Sequence, residues 1–184
     1  MKRLFLMITI AAVFAFSTVS AQRTTTKRKK LPPPVKFSVG LELGAPTGVA
    51  KNLYSVGLGG SGKIEIPATR EFFITATAGY TSFYLKNDVK NALRPYGLST
   101  APAGFVPLKV GGKYYFSPVF YAEGEIGASI GTNKGSGTAF AYAPGIGVSI
   151  PLIGRNAIDV GLRYESWSQN GNFDQFGLRV AYKF

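Results

Sequence analysis

The sequence contains no cysteine and no histidine among its 184 residues. The lack of cysteine excludes disulfide bonds and thiolate metal sites, and the lack of histidine removes the commonest general base and metal ligand. Charged residues make up only 16% of the chain. No window has the period of an amphipathic helix, and none is an uninterrupted apolar stretch long enough for a membrane-spanning helix. These absences leave strands as the main expected element and few routes to catalysis.

Glycine and aromatic residues, by contrast, are abundant: the chain has 23 glycines, and 14% of its residues are aromatic. Abundant glycine without a collagen period, joined to aromatic and β-branched residues, is typical of a chain with many strands. At this length the chain suits one domain. The net charge of +12 is concentrated near the N-terminus, in Lys2, Arg3 and five basic residues between positions 23 and 30. This placement does not indicate a nucleic-acid partner.

The first 35 residues carry two signals that precede the repetitive part of the chain. Residues 1–21 have the layout of a secretory signal peptide, with a basic start, a thirteen-residue apolar run and a small-residue cleavage site ending at Ala21. As a helix the apolar run would rise only about 20 Å, less than the roughly 30 Å hydrocarbon core of a bilayer, so cleavage is favoured over a membrane anchor. Residues 22–35 are interpreted as a basic, proline-rich, flexible leader in the periplasm.

From residue 36 to residue 184 the chain breaks into runs in which apolar side chains alternate with small or polar ones. A period of two places these sets on opposite faces of a strand. The last run reaches the C-terminus, where an open strand edge would invite aggregation, and closure of a barrel would pair every edge. We therefore predict an all-β fold, an eight-stranded antiparallel up-and-down transmembrane β-barrel. The runs are 37–44, 54–66, 72–84, 104–116, 119–131, 138–150, 157–167 and 173–184.

Charge placement decides which face of this barrel meets lipid. Of thirteen charged residues in the runs, twelve lie opposite the apolar set, six acidic and six basic, and only Asp174 breaks the pattern. An enclosed interior must be nearly neutral, because an unpaired buried ion costs several kcal/mol. Arg179 is expected to be a hub that contacts Asp159 and Glu42. The predicted lumen charge network consists of Glu42, Lys63, Glu65, Lys109, Lys113, Glu123, Glu125, Asp159, Arg163, Glu165, Arg179 and Lys183.

The apolar face then meets acyl chains, and its aromatic residues lie toward strand ends. Tyr and Trp rings prefer the headgroup level of a bilayer, so these residues are expected to form aromatic belts. The predicted belt residues are Tyr54, Phe72, Tyr84, Tyr114, Phe116, Phe120, Tyr164 and Tyr182.

No catalytic, cofactor-binding or metal site is predicted. A serine nucleophile would lack the usual histidine base, and no glycine-rich stretch ends in the Lys-Ser/Thr signature of a phosphate loop. Glu123 and Glu125 could be interpreted as a carboxylate dyad. Pairing of these residues with Lys113 and Lys109 across the hairpin at 117–118 is the favoured alternative. We therefore expect a protein that is not an enzyme.

The chain resembles the small eight-stranded outer-membrane barrels, the superfamily of the OmpA transmembrane domain, OmpX and the opacity proteins. The resemblance covers residues 36–184 and rests on the strand count, the charge parity and the C-terminal sequence LRVAYKF. It implies that Tyr182 and Phe184 belong to the signal that the barrel-assembly machinery reads. It implies no catalytic residue, since the superfamily shares no catalytic motif.

Loop lengths predict the orientation and the interaction surface. The two longest links, 45–53 and 85–103, lie on the side of the barrel away from both termini. Outer-membrane barrels place long loops outside, so both termini are expected in the periplasm of a bacterial cell. Lys86, Lys90 and Arg94 would make the outer rim basic and suited to outer-membrane lipid, including lipopolysaccharide. An ordinary soluble loop without a ligand is an equal alternative. We expect a monomer acting structurally or through its loops; a narrow, porin-like channel or small-ligand carrier is the alternative.

Overall fold

The structure is a computed structural model that describes residues 33–133, 136–152, 154–169 and 171–184. The predicted signal peptide lies outside the described residues, and so does most of the predicted leader. Residues 33–35, the end of that leader, have no regular secondary structure.

Within these residues, eight antiparallel strands form a closed barrel in chain order, which confirms the predicted fold. Each strand pairs with its neighbours in the chain, and the first strand also pairs with the last. Strand bounds agree with the predicted runs to within three residues, the largest difference being at the end of the first strand. The strands are β1 (Lys36–Thr47), β2 (Tyr54–Pro67), β3 (Phe72–Leu85), β4 (Ala103–Tyr115), β5 (Phe120–Gly131), β6 (Thr138–Pro151), β7 (Ala157–Ser168) and β8 (Asn172–Lys183).

Two short helices occupy two of the links at the end of the barrel away from the termini, called here the loop end. They are α1 (Ala50–Leu53) and α2 (Asn87–Leu93), and a 3₁₀ turn (Arg94–Tyr96) continues α2. Gly97 follows with a φ of +65°, a left-handed conformation that stops the turn. Neither helix is predicted from the sequence, because segments of four and seven residues are too short to show a helical period. No described helix is long and apolar enough to cross a membrane.

Burial follows the predicted alternation, with polar side chains inside and apolar ones outside. On β8, Gln175, Arg179 and Lys183 are almost fully buried. On β1, the outward-facing side chains of Val39 and Leu41 are 63% and 73% exposed. This pattern is the reverse of a soluble barrel and suits a barrel whose outer surface faces lipid.

Aromatic rings fill the lumen at the loop end and form what we call the aromatic plug. Phe83 is fully buried, Trp167 is 3% exposed, and their rings lie 5.6 Å apart edge to face. The Phe173 ring lies 4.7 Å from Phe83 and 5.1 Å from Trp167. The Phe105 ring lies 4.9 Å from Trp167. These rings are not among the predicted lumen residues, although all share the parity of the lumen charges.

Tyr54 also belongs to the plug, which corrects its predicted place in the lipid-facing belt. The register of β2 against β3 shifts between Tyr54 and Val56. This irregularity reverses the parity at the start of β2 and turns Tyr54 inward. Its ring packs against Phe83 at 6.0 Å and against Phe173 at 5.7 Å.

The barrel closes along the β1–β8 seam. The backbones of Phe37 and Phe184 exchange two hydrogen bonds, of 3.0 and 2.9 Å, and their rings stack at 6.3 Å. Gly40 lies opposite Ala181, and a Cβ at Gly40 would lie 2.6 Å from the Ala181 Cβ and 2.7 Å from the Val180 carbonyl oxygen. The seam therefore needs a glycine at position 40.

We predict that Gly40→Ala lowers the free energy of unfolding by about 1–3 kcal/mol, because β1 and β8 must separate to accept the methyl group. Urea unfolding of the barrel in detergent micelles measures this. Gly62→Ala is the matched control, since a Cβ there would meet no atom within 4 Å. Equal stability of the two variants would contradict the close approach at the seam.

Candidate functional site

The structure places all twelve charged residues of the predicted network inside the barrel. Their side chains are at most 16% exposed, with Arg163 and Glu123 the most accessible. Ion pairs divide the twelve into two separate groups, each containing equal numbers of acidic and basic residues. Each of the two groups is therefore neutral by itself.

The first group is a closed ring of four residues near the end of the barrel that carries the termini, called here the terminal end. Lys113 Nζ lies 2.7 Å from Glu65 Oε1 and 2.8 Å from Asp159 Oδ2. Lys183 Nζ lies 3.1 Å and 2.7 Å from the same two oxygens. Each ion therefore has two neighbours of opposite sign. We call this arrangement the four-ion ring.

Tyr121 holds the ring from one side. Its hydroxyl donates a hydrogen bond of 2.6 Å to Asp159 Oδ1, and Lys113 Nζ lies 3.7 Å from the centre of its aromatic ring. Lys183 Nζ also donates to Tyr115 Oη at 2.9 Å and to Ser149 Oγ at 3.1 Å. These contacts give Asp159, Lys113 and Lys183 further polar partners, which lowers the cost of burying their charges.

The second group is an open chain of eight ions of alternating sign, which we call the eight-ion chain. It begins at Glu123 and ends at Arg179, and four of its seven pairs join strands that are not neighbours. Its pairs in order are Glu123 with Lys63, Lys63 with Glu125 (3.2 Å), Glu125 with Lys109 (3.7 Å), Lys109 with Glu165 (3.0 Å), Glu165 with Arg163 (2.7 Å), Arg163 with Glu42 (2.6 Å) and Glu42 with Arg179 (3.4 Å).

Neutral side chains complete this chain. Thr77 Oγ1 donates to Glu125 Oε1 at 2.6 Å, and Arg179 Nε donates to Ser61 Oγ at 2.9 Å. Trp167 Nε1 donates to Glu165 Oε1 at 2.9 Å, which joins the aromatic plug to the ions beneath it. These hydrogen-bond partners are not among the predicted network residues, although they too lie at positions of lumen parity.

Two expected pairings differ in the structure. Arg179 contacts Glu42 but not Asp159, because it lies opposite Gly161 in the β7–β8 register, two residues beyond Asp159. Arg179 is thus the end of the eight-ion chain and not a hub.

The hairpin pairing was half right. Lys109 pairs with Glu125, as expected. Lys113 lies opposite Glu123 in the β4–β5 register, but its ammonium turns into the four-ion ring, while Glu123 pairs with Lys63. Cross-strand neighbours therefore need not be ion-pair partners in so narrow a lumen.

Little space remains between the two groups. The cavity that borders Lys63, Glu125, Asp159 and Arg179 has a volume of about 20 Å³. That volume holds about one water molecule. The interior at this level is packed with side chains and offers no room for an organic ligand.

Helix α2 arranges the three predicted loop residues at the loop end. The Lys90 amide donates to the Lys86 carbonyl at 3.0 Å, and the Arg94 amide donates to the Lys90 carbonyl. Lys86, which caps the start of α2, Lys90 within it and Arg94 just after it are therefore spaced about one turn apart along the helix. Lys86 and Arg94 are exposed, and Lys90 is partly exposed. We call this surface the basic face of α2.

Tyr182 and Phe184, the predicted assembly signal, lie together on the outer surface at the terminal end. Their rings stack at 6.4 Å and are 45% and 54% exposed.

Comparison with known proteins places this geometry in context. A family model described as "Outer membrane protein beta-barrel domain" matches residues 9–184. No curated protein matches the chain.

Solved structures with a similar fold include the crystal structure of Ail, the attachment invasion locus protein of Yersinia pestis. It is 15% identical, with 82% of this chain and 97% of that chain covered and a TM-score of 0.54. Ail in complex with the heparin analogue sucrose octasulfate gives the same identity and coverage and a TM-score of 0.53. The solid-state NMR structure of outer membrane protein AlkL in DMPC bilayers is 10% identical, with coverages of 89% and 95% and a TM-score of 0.53. At these identities the likeness shows the fold alone.

We predict that Asp159→Asn lowers the free energy of unfolding by about 3–5 kcal/mol, because Lys113 and Lys183 would then share the single carboxylate of Glu65. Urea unfolding in detergent micelles measures the change. Asp88→Asn, in the exposed helix α2, is the matched control and should be neutral. A double variant that also carries Lys183→Met should recover part of the loss; equal stability of Asp159→Asn and the natural protein would contradict the ring.

Proposed function

Because the chain belongs to the outer-membrane protein β-barrel family, we propose that it is a non-enzymatic barrel that acts structurally or by surface interaction through its outer loops. In this proposal the loop end faces the cell exterior, and both termini face the periplasm of a bacterial cell. The support for this orientation is that the longest link, residues 86–102 with α2, lies at the loop end, whereas the turns at the terminal end are short.

The observation that carries the proposal is the basic face of α2. Like charges four residues apart destabilise a helix by about 0.2–0.5 kcal/mol per pair, so folding does not explain the spacing of Lys86, Lys90 and Arg94. Three cations one turn apart, about 5.4 Å, instead suit a surface with several closely spaced anionic groups. Tyr96 and Leu98, 80% and 56% exposed, follow directly in the chain. Cations beside apolar side chains match the chemistry of a phosphorylated glycolipid.

We take lipopolysaccharide as the ligand of this face. Its phosphates would accept hydrogen bonds from the three cations, and its acyl region would border the exposed apolar residues of the same link. Each basic residue near an anionic membrane surface contributes about 1 kcal/mol.

The state of the carboxylates supports a role without catalysis. All six acidic residues of the lumen have a cationic partner within 4.0 Å, so none is available as an unpaired general base. The Glu123 and Glu125 pair is joined through Lys63, which makes the two carboxylates part of an ion network and not a dyad that shares a proton.

Packing of the interior favours a sealed barrel over a narrow channel or a carrier. Ions moving along the lumen would have to pass the aromatic plug and then both groups of ion pairs. Eight strands enclose an interior just wide enough for side chains, and here side chains occupy it. We therefore place the function at the ends of the barrel.

We further propose that the barrel is a monomer inserted by the barrel-assembly machinery, with Tyr182 and Phe184 as its signal. The alternating burial along β8 and the exposure of both rings support this role.

We predict that reversing the charges of the basic face, by Lys86→Glu, Lys90→Glu and Arg94→Glu together, weakens lipopolysaccharide binding at least about a hundredfold. Binding of purified lipopolysaccharide to the barrel in micelles, measured by calorimetry, should also weaken as salt is raised. Arg155→Glu, an exposed residue in the short β6–β7 link at the terminal end, is the control. Unchanged lipopolysaccharide affinity in the triple variant would contradict the assignment of the basic face as the binding surface.

We also predict that the natural protein shows no discrete conductance steps in a planar bilayer. The double variant Phe83→Ala and Trp167→Ala, which removes two rings from the plug, should show more current than the natural protein if the plug seals the loop end. Salt-dependent steps from the natural protein would favour the channel instead.

A further inference from the structure

Lys36 is an inward-facing cation at the terminal end that lies outside both ion groups. It is the first residue of β1 and lies opposite Glu65 in the β1–β2 register. It was not counted with the twelve, because the predicted first run begins at residue 37. Its ammonium lies 5.6 Å from the centre of the buried Phe73 ring.

No carboxylate neutralises this lysine. All nine acidic residues of the chain are among the described residues, and none has an oxygen within 4.0 Å of Lys36 Nζ. The nearest acidic residue in the register, Glu65, already pairs with Lys113 and Lys183. Because the four-ion ring is neutral by itself, Lys36 gives this end of the lumen an excess of one positive charge.

Lys36 lines a pocket of about 440 Å³ at the terminal end of the barrel. The pocket lies between the β2–β3 and β4–β5 turns, with Arg70 and Glu71 from the first turn and Ser117 from the second. Unlike the cavity within the ion network, this pocket has room for a small molecule.

Two residues that line the pocket carry hydroxyl groups, which can donate hydrogen bonds alongside the lysine ammonium group. Ser117 Oγ accepts a hydrogen bond of 2.9 Å from the Phe120 amide, and Tyr115 Oη accepts one of 2.9 Å from Lys183. In each case the oxygen is an acceptor, so the hydroxyl proton remains to be donated. The pocket thus combines an ammonium group with hydroxyl donors from a different strand and turn.

From this combination we propose that the pocket binds a phosphate group, with Lys36 as its main cation and Ser117 and Tyr115 as further donors. A phosphate presents several acceptor oxygens in different directions, which suits donors that come from separate walls. The phosphate belongs either to a soluble phosphorylated molecule or to a lipid headgroup, since Phe116, 61% exposed, places one edge of the pocket beside the outer surface of the barrel. This site is independent of the basic face of α2, which lies at the other end.

The test measures backbone amide NMR shifts of the whole chain in zwitterionic micelles while sodium phosphate is added, with sodium chloride at equal ionic strength as the reference. We expect saturable shifts at Lys36, Glu71 and Ser117. Lys36→Gln should weaken binding by about tenfold or more, and Lys36→Arg should largely retain it. Arg155→Gln, a cation at the same end but outside the pocket, should have no effect.

A second arm uses nanodiscs with and without phosphatidylglycerol to identify the source of the phosphate. Shifts of the same residues with this lipid indicate a headgroup, and shifts with soluble phosphate alone indicate a soluble ligand. Glu65 Oε2 has no hydrogen-bond partner, so Lys36 could instead turn to it. In that case neither probe gives saturable shifts while Lys36→Gln lowers the urea midpoint, and the proposal is overturned. Equal shifts with chloride, or unchanged binding in Lys36→Gln, would overturn it as well.

Discussion

Charge neutrality inside a closed cylinder is the constraint on which the rest of this structure depends. The outer surface is apolar, so the polar residues that remain must fit within the narrow interior. Burying an ion costs several kcal/mol unless an opposite charge and further hydrogen bonds compensate it. The four-ion ring and the eight-ion chain meet this condition by alternating signs, so that every inner charge of both groups touches at least one opposite charge. Hydroxyl and indole groups then occupy much of the remaining capacity of the carboxylates.

Such packing has a consequence for function. Side chains that neutralise one another across the lumen also fill it, and the aromatic plug covers them at the loop end. The interior then stabilises the barrel and leaves recognition to its two ends. At one end a short helix presents three cations in a row, and at the other end a lysine without a counter-ion borders a pocket. Both ends carry excess positive charge, which suits the phosphate-rich surfaces of a membrane.

The strands could be predicted accurately because their signal lies in neighbouring residues of the sequence. A period of two is visible in any run of about ten residues, and membrane burial keeps the lipid-facing set apolar along the whole strand. Errors arose where the period is broken or too short to detect. The irregularity after Tyr54 reversed the orientation of one aromatic residue, and α2 is only seven residues long. The aromatic plug was not predicted, because the lumen face of each strand was identified by its charged residues. Apolar rings at other positions of that face carry no charge and so gave no signal.

The sequence by itself determined the strands, the closure of the barrel and the face on which each charge lies, because these depend on the parity of neighbouring residues. Only the tertiary structure decided which charges meet. Lys63 on β2 pairs with Glu123 on β5, and Lys113 on β4 reaches Glu65 on β2, at separations of 60 and 48 residues. Long side chains cross a lumen this narrow and contact whichever strand is opposite. That partner depends on the height of each residue in the barrel, a quantity that no local pattern contains.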